Sequence, residues 1–239
     1  MYVAETHSTN TLLREMIAAG TWPQDELFLR AGYQTAGRGQ TGNGWESEAD
    51  KNLLCSIPLP PSGNLFDLNM MVSVAVHRLV CCVYGLIADE EEVTIKWPND
   101  IYVGDRKICG ILIENILKGD GIKDCIIGIG LNVNQTRFVS DAPNPTSMTL
   151  ESGREYDRRQ VLDALLENFE ALLTNWDADA IRTSYRRQLY RREGMHTYSD
   201  NDGLFSALLT DVEDDGHLLL TDSEGVQRRY AFKEVTFVI

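Results

Sequence analysis

The sequence predicts an α+β protein: a mixed β-sheet with packed helices over residues 1–192, followed by a small all-β unit over residues 193–239. Two patterns predict it. In the first unit, apolar runs of strand length alternate with longer stretches whose apolar residues recur at helical spacing. After Gly194 only short strand-like runs remain, separated by Asp214-Asp215-Gly216 and Ser223-Glu224-Gly225. Hydrophobic residues make up 43% of the 239 residues, enough to core one large unit. The tail is too small to be very stable alone and is expected to pack on the larger unit.

The elements follow in order. Ser8-Thr9-Asn10 can cap a helix running through Leu12, Leu13, Met16 and Ile17, with Gly20 as its stop. Leu27 to Tyr33 and Leu53 to Leu59 read as buried strands, separated by the glycine-dense stretch Gly37 to Gly44. Leu68 through Leu86 carries Leu68, Met71, Val72, Ala75, Val76, Leu79, Val80 and Val83 at helical spacing, which predicts a core helix. Val93 to Trp97, Ile101 to Val103 and Ile108 to Ile116 read as strands, the last two joined by a Gly104-Asp105 turn. Asp124 to Val133 reads as a central strand. Asp157 to Trp176 is an amphipathic helix with Val161, Leu165, Phe169 and Leu172 on one face, and a shorter helix is expected over Ala178 to Tyr190.

Charge and cysteine usage narrow the function. The formal net charge of −14 repels nucleic acid at long range, so an anionic ligand must be held by local cations or backbone N–H groups. No nucleic-acid partner is expected. Cys55, Cys81, Cys82, Cys109 and Cys125 contain no C-x-x-C and read as buried reduced thiols. The four histidines are scattered, and no protein-ligated metal site is expected. No apolar run reads as long and uncharged enough to span a bilayer, and MYVAETHSTN is not a signal sequence. A cytoplasmic protein without a membrane partner is expected.

Five segments can carry chemistry. Gln34 to Trp45 (QTAGRGQTGNGW) is a loop whose backbone can approach a ligand, with Arg38 set between two glycines; a plain surface loop is the alternative. Lys96-Trp97-Pro98-Asn99-Asp100 either caps a strand or offers an aromatic wall, with Pro98 favouring extended backbone at Trp97. Lys107 enters an apolar strand just after a turn. It is either a solvated strand end or an ammonium over a developing phosphate charge, and Gly110 suggests close approach. Ile127 to Asn134 has glycines at alternate positions, leaving one strand face bare for a flat group or for tight helix packing. Ser8-Thr9-Asn10 is a helix cap or a site for a neutral polar group.

Taken in this order, S-T-N, Q-x-A-G-R-G, K-W-P-N-D, R-K-x-x-G-I-L-x-E and G-x-G-x-N-x-N resemble the catalytic core of the biotin–protein ligases. The resemblance covers about residues 1–190, and the tail resembles that family's SH3-like domain. It implies a class II synthetase-like core and a two-step reaction. Biotin and ATP form biotinoyl-5'-AMP, and a lysine of a biotin carboxyl carrier domain of a carboxylase then takes the biotin. Mg²⁺ is the implied metal and a homodimer is permitted. The implied catalytic residues are Arg38, Lys107 and Asp100. Biotin is expected against Ser8, Thr9, Asn10, Gln34, Gly37, Arg38, Gly39, Trp97, Lys107, Gly110, Ile111, Leu112 and Gly130. The adenylate is expected near Arg38, Trp45, Asn99, Lys107 and Asn132.

Two departures from the family pattern matter. Many members carry a second arginine where this chain has Gln40, which implies weaker retention of the adenylate or greater reliance on Lys107 and Mg²⁺. Some begin with a winged-helix domain, which this sequence does not show, so a repressor role is not expected. Lipoate or octanoate transferases share the fold but lack K-W-P-N-D. A non-catalytic biotin-binding module would need neither Arg38 nor Lys107.

Overall fold

The computed structural model describes residues 1–40, 43–60, 64–84, 92–118, 121–140 and 144–239. The larger unit runs β1 (Tyr2–Thr6), α1 (Thr9–Ala19), β2 (Leu29–Gln34), β3 (Leu53–Leu59), α2 (Leu65–Tyr84), β4 (Val93–Lys96), β5 (Asp100–Val103), β6 (Arg106–Lys118), β7 (Gly121–Leu131), α3 (Met148–Ser152), α4 (Arg158–Thr174) and α5 (Ala178–Arg187). Its strands form one sheet in the order β1-β2-β3-β7-β6-β5-β4, in which β1 and β2 are parallel and the other pairs antiparallel. The smaller unit is β8 (Met195–Asp200), β9 (Gly203–Val212), β10 (Leu218–Asp222), β11 (Gln227–Tyr230) and β12 (Thr236–Phe237), an antiparallel sheet in the order β11-β10-β9-β8-β12.

The faces of the larger sheet follow from side-chain alternation along β7. Ile127, Ile129 and Leu131 enter the main core with α2, α4 and α5, whereas Ile126 packs with Leu13 of α1 and Leu29 of β2. Gly128 and Gly130 share the parity of Ile126, so their bare positions lie on the α1 side. Helix α1 starts at Ser8 in extended backbone and stops at Gly20, whose φ of 69° is the left-handed form that glycine adopts freely. The Ser8 hydroxyl makes no capping bond, contrary to the simplest reading of S-T-N. Asp157 does cap α4, accepting from the Arg159 N–H.

Three sequence expectations need correction. The window Leu65–Cys82 is long and apolar enough to cross a membrane by length and composition, but 72% of it is buried, because α2 is the helix around which the core forms. Cys55, Cys109 and Cys125 are buried, whereas Cys82 is exposed and Cys81 half-buried at the end of that helix, so not all the thiols are interior. Strand β1 and helix α3 were not foreseen, β1 because it is a half-exposed edge strand without a clear apolar run. The expected helical positions beyond Tyr84 (Gly85 and Leu86) lie outside the described residues.

The two sheets share a continuous core, in which Tyr198, Leu209, Leu220 and Phe237 join the residues of the larger unit. Arg186 of α5 donates to the Val212 carbonyl at 3.0 and 2.7 Å, and the Tyr190 ring lies 6.1 Å from that of Phe237. This docking brings the small sheet to the end of the larger sheet where β4 and β5 turn.

Candidate active site

A cleft of about 360 Å³ opens on the α1 side of the larger sheet, within the range of small-molecule sites. Two rungs of strand run beneath it, of which Gly110, Leu112, Gly128 and Gly130 line the cleft. Ser56, Gly128 and Leu112 align across β3, β7 and β6, and Leu54, Gly130 and Gly110 form the next rung. The first rung carries a polar network. Ser56 donates to Thr9 Oγ1 at 2.7 Å or Asn10 Oδ1 at 2.6 Å, while Gln34 Oε1 accepts from the Thr9 N–H at 2.7 Å and its hydroxyl at 3.1 Å. Asn10 lies over Gly128, so closely that a Cβ there would collide with its amide, and Asn10 Nδ2 donates to the Leu112 carbonyl. Gly128 therefore serves helix packing.

The second rung carries a flat group. The indole of Trp45 lies on Gly110 and Gly130, where added Cβ atoms would sit 2.8 and 2.5 Å from the ring. The loop turns back on itself to place it. The Trp45 N–H donates to the Gly37 carbonyl at 2.9 Å and the Gly39 N–H to Asn43 at 2.9 Å. Gly37 has no room for a side chain beneath the Trp45 carbonyl. Thr41 and Gly42 of this loop lie outside the described residues. Trp45 Nε1 and Gln40 Oε1 are both buried without a protein partner, whereas Gln40 Nε2 donates to Asn99 Oδ1 at 2.8 Å. The residue that stands in place of a loop arginine thus ties the loop to the K-W-P-N-D turn.

That turn is held from behind. The Trp97–Pro98 peptide is cis, and the Pro98 carbonyl accepts from Asn69 of α2 at 3.0 Å and from the Tyr185 hydroxyl of α5 at 2.6 Å. Asn99 is buried and donates to Asn69 Oδ1. Trp97 is buried too. Its Nε1 donates to the Gly216 carbonyl of the small sheet at 3.0 Å, and its ring meets Phe232 at 5.9 Å. It is an aromatic wall shared by the two units.

Lys107 and Asp100 meet within the cleft. Lys107 Nζ donates to Asp100 Oδ2 at 2.6 Å, both side chains are partly exposed, and the lysine stem runs back along the floor to within 3.4 Å of the Gly110 Cβ position. Its ammonium lies 5.6 Å from the centre of the Trp45 ring. The phosphate-binding reading of Lys107 thus has an open, charged group in a cleft behind it.

Arg38 lines the same cleft, but its guanidinium pairs with Glu114 Oε1 at 2.7 Å and reaches Thr11 at 3.1 Å. Burial alone would raise the Glu114 carboxyl, yet hydrogen bonds from Asn10, Arg14 and Arg38 hold it below the usual glutamate range. Asn132 is not brought to the cleft. It is 2% exposed, donates to the Thr146 carbonyl at 2.9 Å and accepts from Asn52. Ser8, Thr9, Asn10, Gln34, Arg38, Gly39, Trp45, Trp97, Asn99, Asp100, Lys107, Gly110, Ile111, Leu112 and Gly130 all line the cleft, whereas Gly37, expected against biotin, does not and instead packs within the loop under the Trp45 carbonyl.

Sequence reasoning missed several cleft residues. Ser56, which holds the lining residues Thr9 and Asn10 from behind, is a fully buried hydroxyl inside an apolar strand, and that misfit is its signal. Lys96 was visible in K-W-P-N-D but received no role. Phe232, Lys233 and the segment to Phe237 close the cleft from the small sheet, and nothing in their local sequence indicates this.

The fold and the cleft define a small-molecule-binding enzyme core in which a neutral polar end and a cationic end share one floor. The chain belongs to the biotin/lipoate A/B protein ligase family, whose model matches residues 2–132. It is 31% identical over 229 residues to the bifunctional ligase/repressor BirA of Bacillus spizizenii, covering 90% of this chain and 67% of that protein. The biotin–[acetyl-CoA-carboxylase] ligase of Paracoccus denitrificans is 27% identical, with 94% of this chain and 95% of that protein covered. Among solved structures, a biotin protein ligase from Aquifex aeolicus in complex with biotin and ATP superposes with a TM-score of 0.79 at 24% identity, covering 99% of this chain and 97% of that one.

Proposed function

We propose that the protein is an ATP-dependent, AMP-forming biotin–protein ligase. It activates biotin as biotinoyl-5'-AMP and transfers it to a lysine of a biotin carboxyl carrier domain of a carboxylase. The observation that carries this reading is the layout of one floor. A hydrogen-bonding network at Thr9, Gln34 and Ser56 occupies one rung, and the Lys107 ammonium lies beside the next. A ureido ring needs donors and acceptors without charge, and Thr9 with Gln34 offers both. The valeryl chain then runs along the Trp45 indole that covers the glycine rung, which brings its carboxylate towards the Lys107 ammonium, 5.6 Å from the centre of that ring.

Two anions must meet for adenylation, and they repel unless cations offset them. Lys107 lies where the carboxylate and the α-phosphate converge, and Asp100 orients it. The carboxylate oxygen attacks the α-phosphorus, and the bond to the bridging oxygen of pyrophosphate breaks. In the second step the acceptor amine attacks the acyl carbon and AMP departs. Trp45 and its loop cover the floor and keep water from the anhydride. Among the described residues lining the cleft, Asp100 is the sole carboxylate. One carboxylate with phosphate and water oxygens suits Mg²⁺, which would offset phosphate charge there.

The lipoate reading draws on the same family, but a dithiolane ring has no use for the Thr9–Gln34–Ser56 network. ATP–pyrophosphate exchange run with biotin, lipoate and octanoate in parallel decides between them. Exchange with biotin alone supports the proposal. Exchange only with lipoate or octanoate refutes it.

A further inference from the structure

Lys96 lines the cleft beside Lys107, and its surroundings are short of an anion. Lys107 on β6 and Lys96 on β4 come from the strands on either side of β5, which carries Asp100 and Tyr102. Asp100 is already engaged by Lys107 at 2.6 Å. Lys96 Nζ donates to the Tyr102 hydroxyl at 3.2 Å and lies 5.0 Å from the Tyr102 ring and 5.4 Å from that of Phe237. Tyr102 supplies no counter-charge: burial, and then the charge of Asp100, push its phenol well above its ordinary value. Burial also lowers Lys96, Asp100 opposes this, and Lys107 and Arg191 add to the lowering. An ammonium has three donors, and among the described residues one is used. A half-buried cation in aromatic surroundings gains most from an anion that enters the cleft.

We propose that Lys96 binds the pyrophosphate group that leaves during adenylation, on the opposite side of the α-phosphorus from the attacking carboxylate. The inference rests on the ligase reading given above. In-line displacement places the attacking and leaving oxygens on opposite sides of phosphorus. Lys107 extends over the glycine floor, so it serves the carboxylate side. Lys96, across β5 and against Phe237 of the small sheet, serves the far side. As the bond from phosphorus to the bridging oxygen breaks, its electron pair passes to the pyrophosphate, and the Lys96 ammonium meets that developing charge.

The test separates the two half-reactions. Lys96→Met keeps the stem and removes the charge. Biotin-dependent ATP–pyrophosphate exchange should fall by on the order of tenfold to a hundredfold, with a raised KM for pyrophosphate, and Lys96→Arg should restore part of it. Transfer from preformed biotinoyl-5'-AMP to a carrier domain involves no pyrophosphate and should be spared in the same preparation, which also shows that the variant is folded. Wild-type levels of exchange with an unchanged pyrophosphate KM would overturn the inference, as would equal loss of both half-reactions. Wild-type protein that fails to exchange with biotin at all overturns the underlying ligase reading, and the inference with it.

Discussion

Trp45 rests on Gly130 so closely that a methyl group on that glycine would lie 2.5 Å from the indole. The bare position in the strand and the aromatic residue of the distant loop fit as one unit. Gly130→Ala should therefore lift the indole off the floor rather than distort β7, since a loop moves more easily than a central strand. The expected result is an altered tryptophan fluorescence spectrum, matched against Trp45→Phe, with biotin affinity reduced at least about tenfold and stability lowered by less than the ~1–3 kcal/mol typical of overpacking a rigid core. An unchanged spectrum would refute the contact.

Lys107→Ala removes the cation to which the proposed reaction assigns the meeting of carboxylate and phosphate. Biotin-dependent exchange should fall by on the order of 10² to 10³. Asp100→Asn keeps the shape but frees the ammonium from its 2.6 Å partner, so kcat should fall more than biotin affinity. Titration calorimetry with biotin alone alongside exchange kinetics separates the two effects, and equal losses in both would contradict the orienting role.

Gln40 stands where the family pattern that the sequence resembles has an arginine, and it spends its amide on Asn99. Gln40→Arg should slow escape of biotinoyl-5'-AMP by adding a cation to the loop. Release timed after rapid dilution of the loaded enzyme measures this. Equal release from wild type and Gln40→Arg would show that the loop charge is irrelevant here.

Glu114 holds Arg14 at 2.5 Å and Arg38 at 2.7 Å. Its folded-state carboxyl is depressed, so its contribution to stability is fully present above the ordinary glutamate value of about 4.3 and is lost as pH falls through the lower folded value. Thermal unfolding followed from neutral pH into the acid range should show a steeper decline for wild type than for Glu114→Gln. Parallel curves would refute the linkage.

Trp97→Phe removes the hydrogen bond to the Gly216 carbonyl across the two sheets. A loss of about 1 kcal/mol is expected, read as a lower midpoint in urea with an unchanged slope. A changed slope would instead mean that the small sheet unfolds separately.

Much of this architecture was legible because it depends on local pattern. Leu53 to Leu59 is a bounded apolar run and is a strand over that same span. The Asp157 cap and the apolar face beyond it delimit α4. Residue type also revealed the cationic and glycine-rich parts of the cleft. What stayed hidden depends on distance along the chain. Arg38 reads as a phosphate cation, but the sequence does not say that Glu114, 76 positions later, would pair with it. Asn132 sits in a promising glycine-rich segment yet turns to the Thr146 carbonyl, because a buried amide must satisfy its own donors. Phe232 and Phe237 reach the cleft only through the docking of two sheets, which no short window can display.

The cleft walls come from near both ends of the described chain and from strands between them, including Ser8, Lys107, Gly130 and Phe237. No contiguous fragment holds them all, so any partly folded form lacks a complete binding surface. Occupancy and global folding are then a single linked equilibrium. A ligand at a hundred times its Kd should raise the unfolding free energy by about 2.7 kcal/mol, and loss of binding should coincide with the cooperative melt rather than precede it.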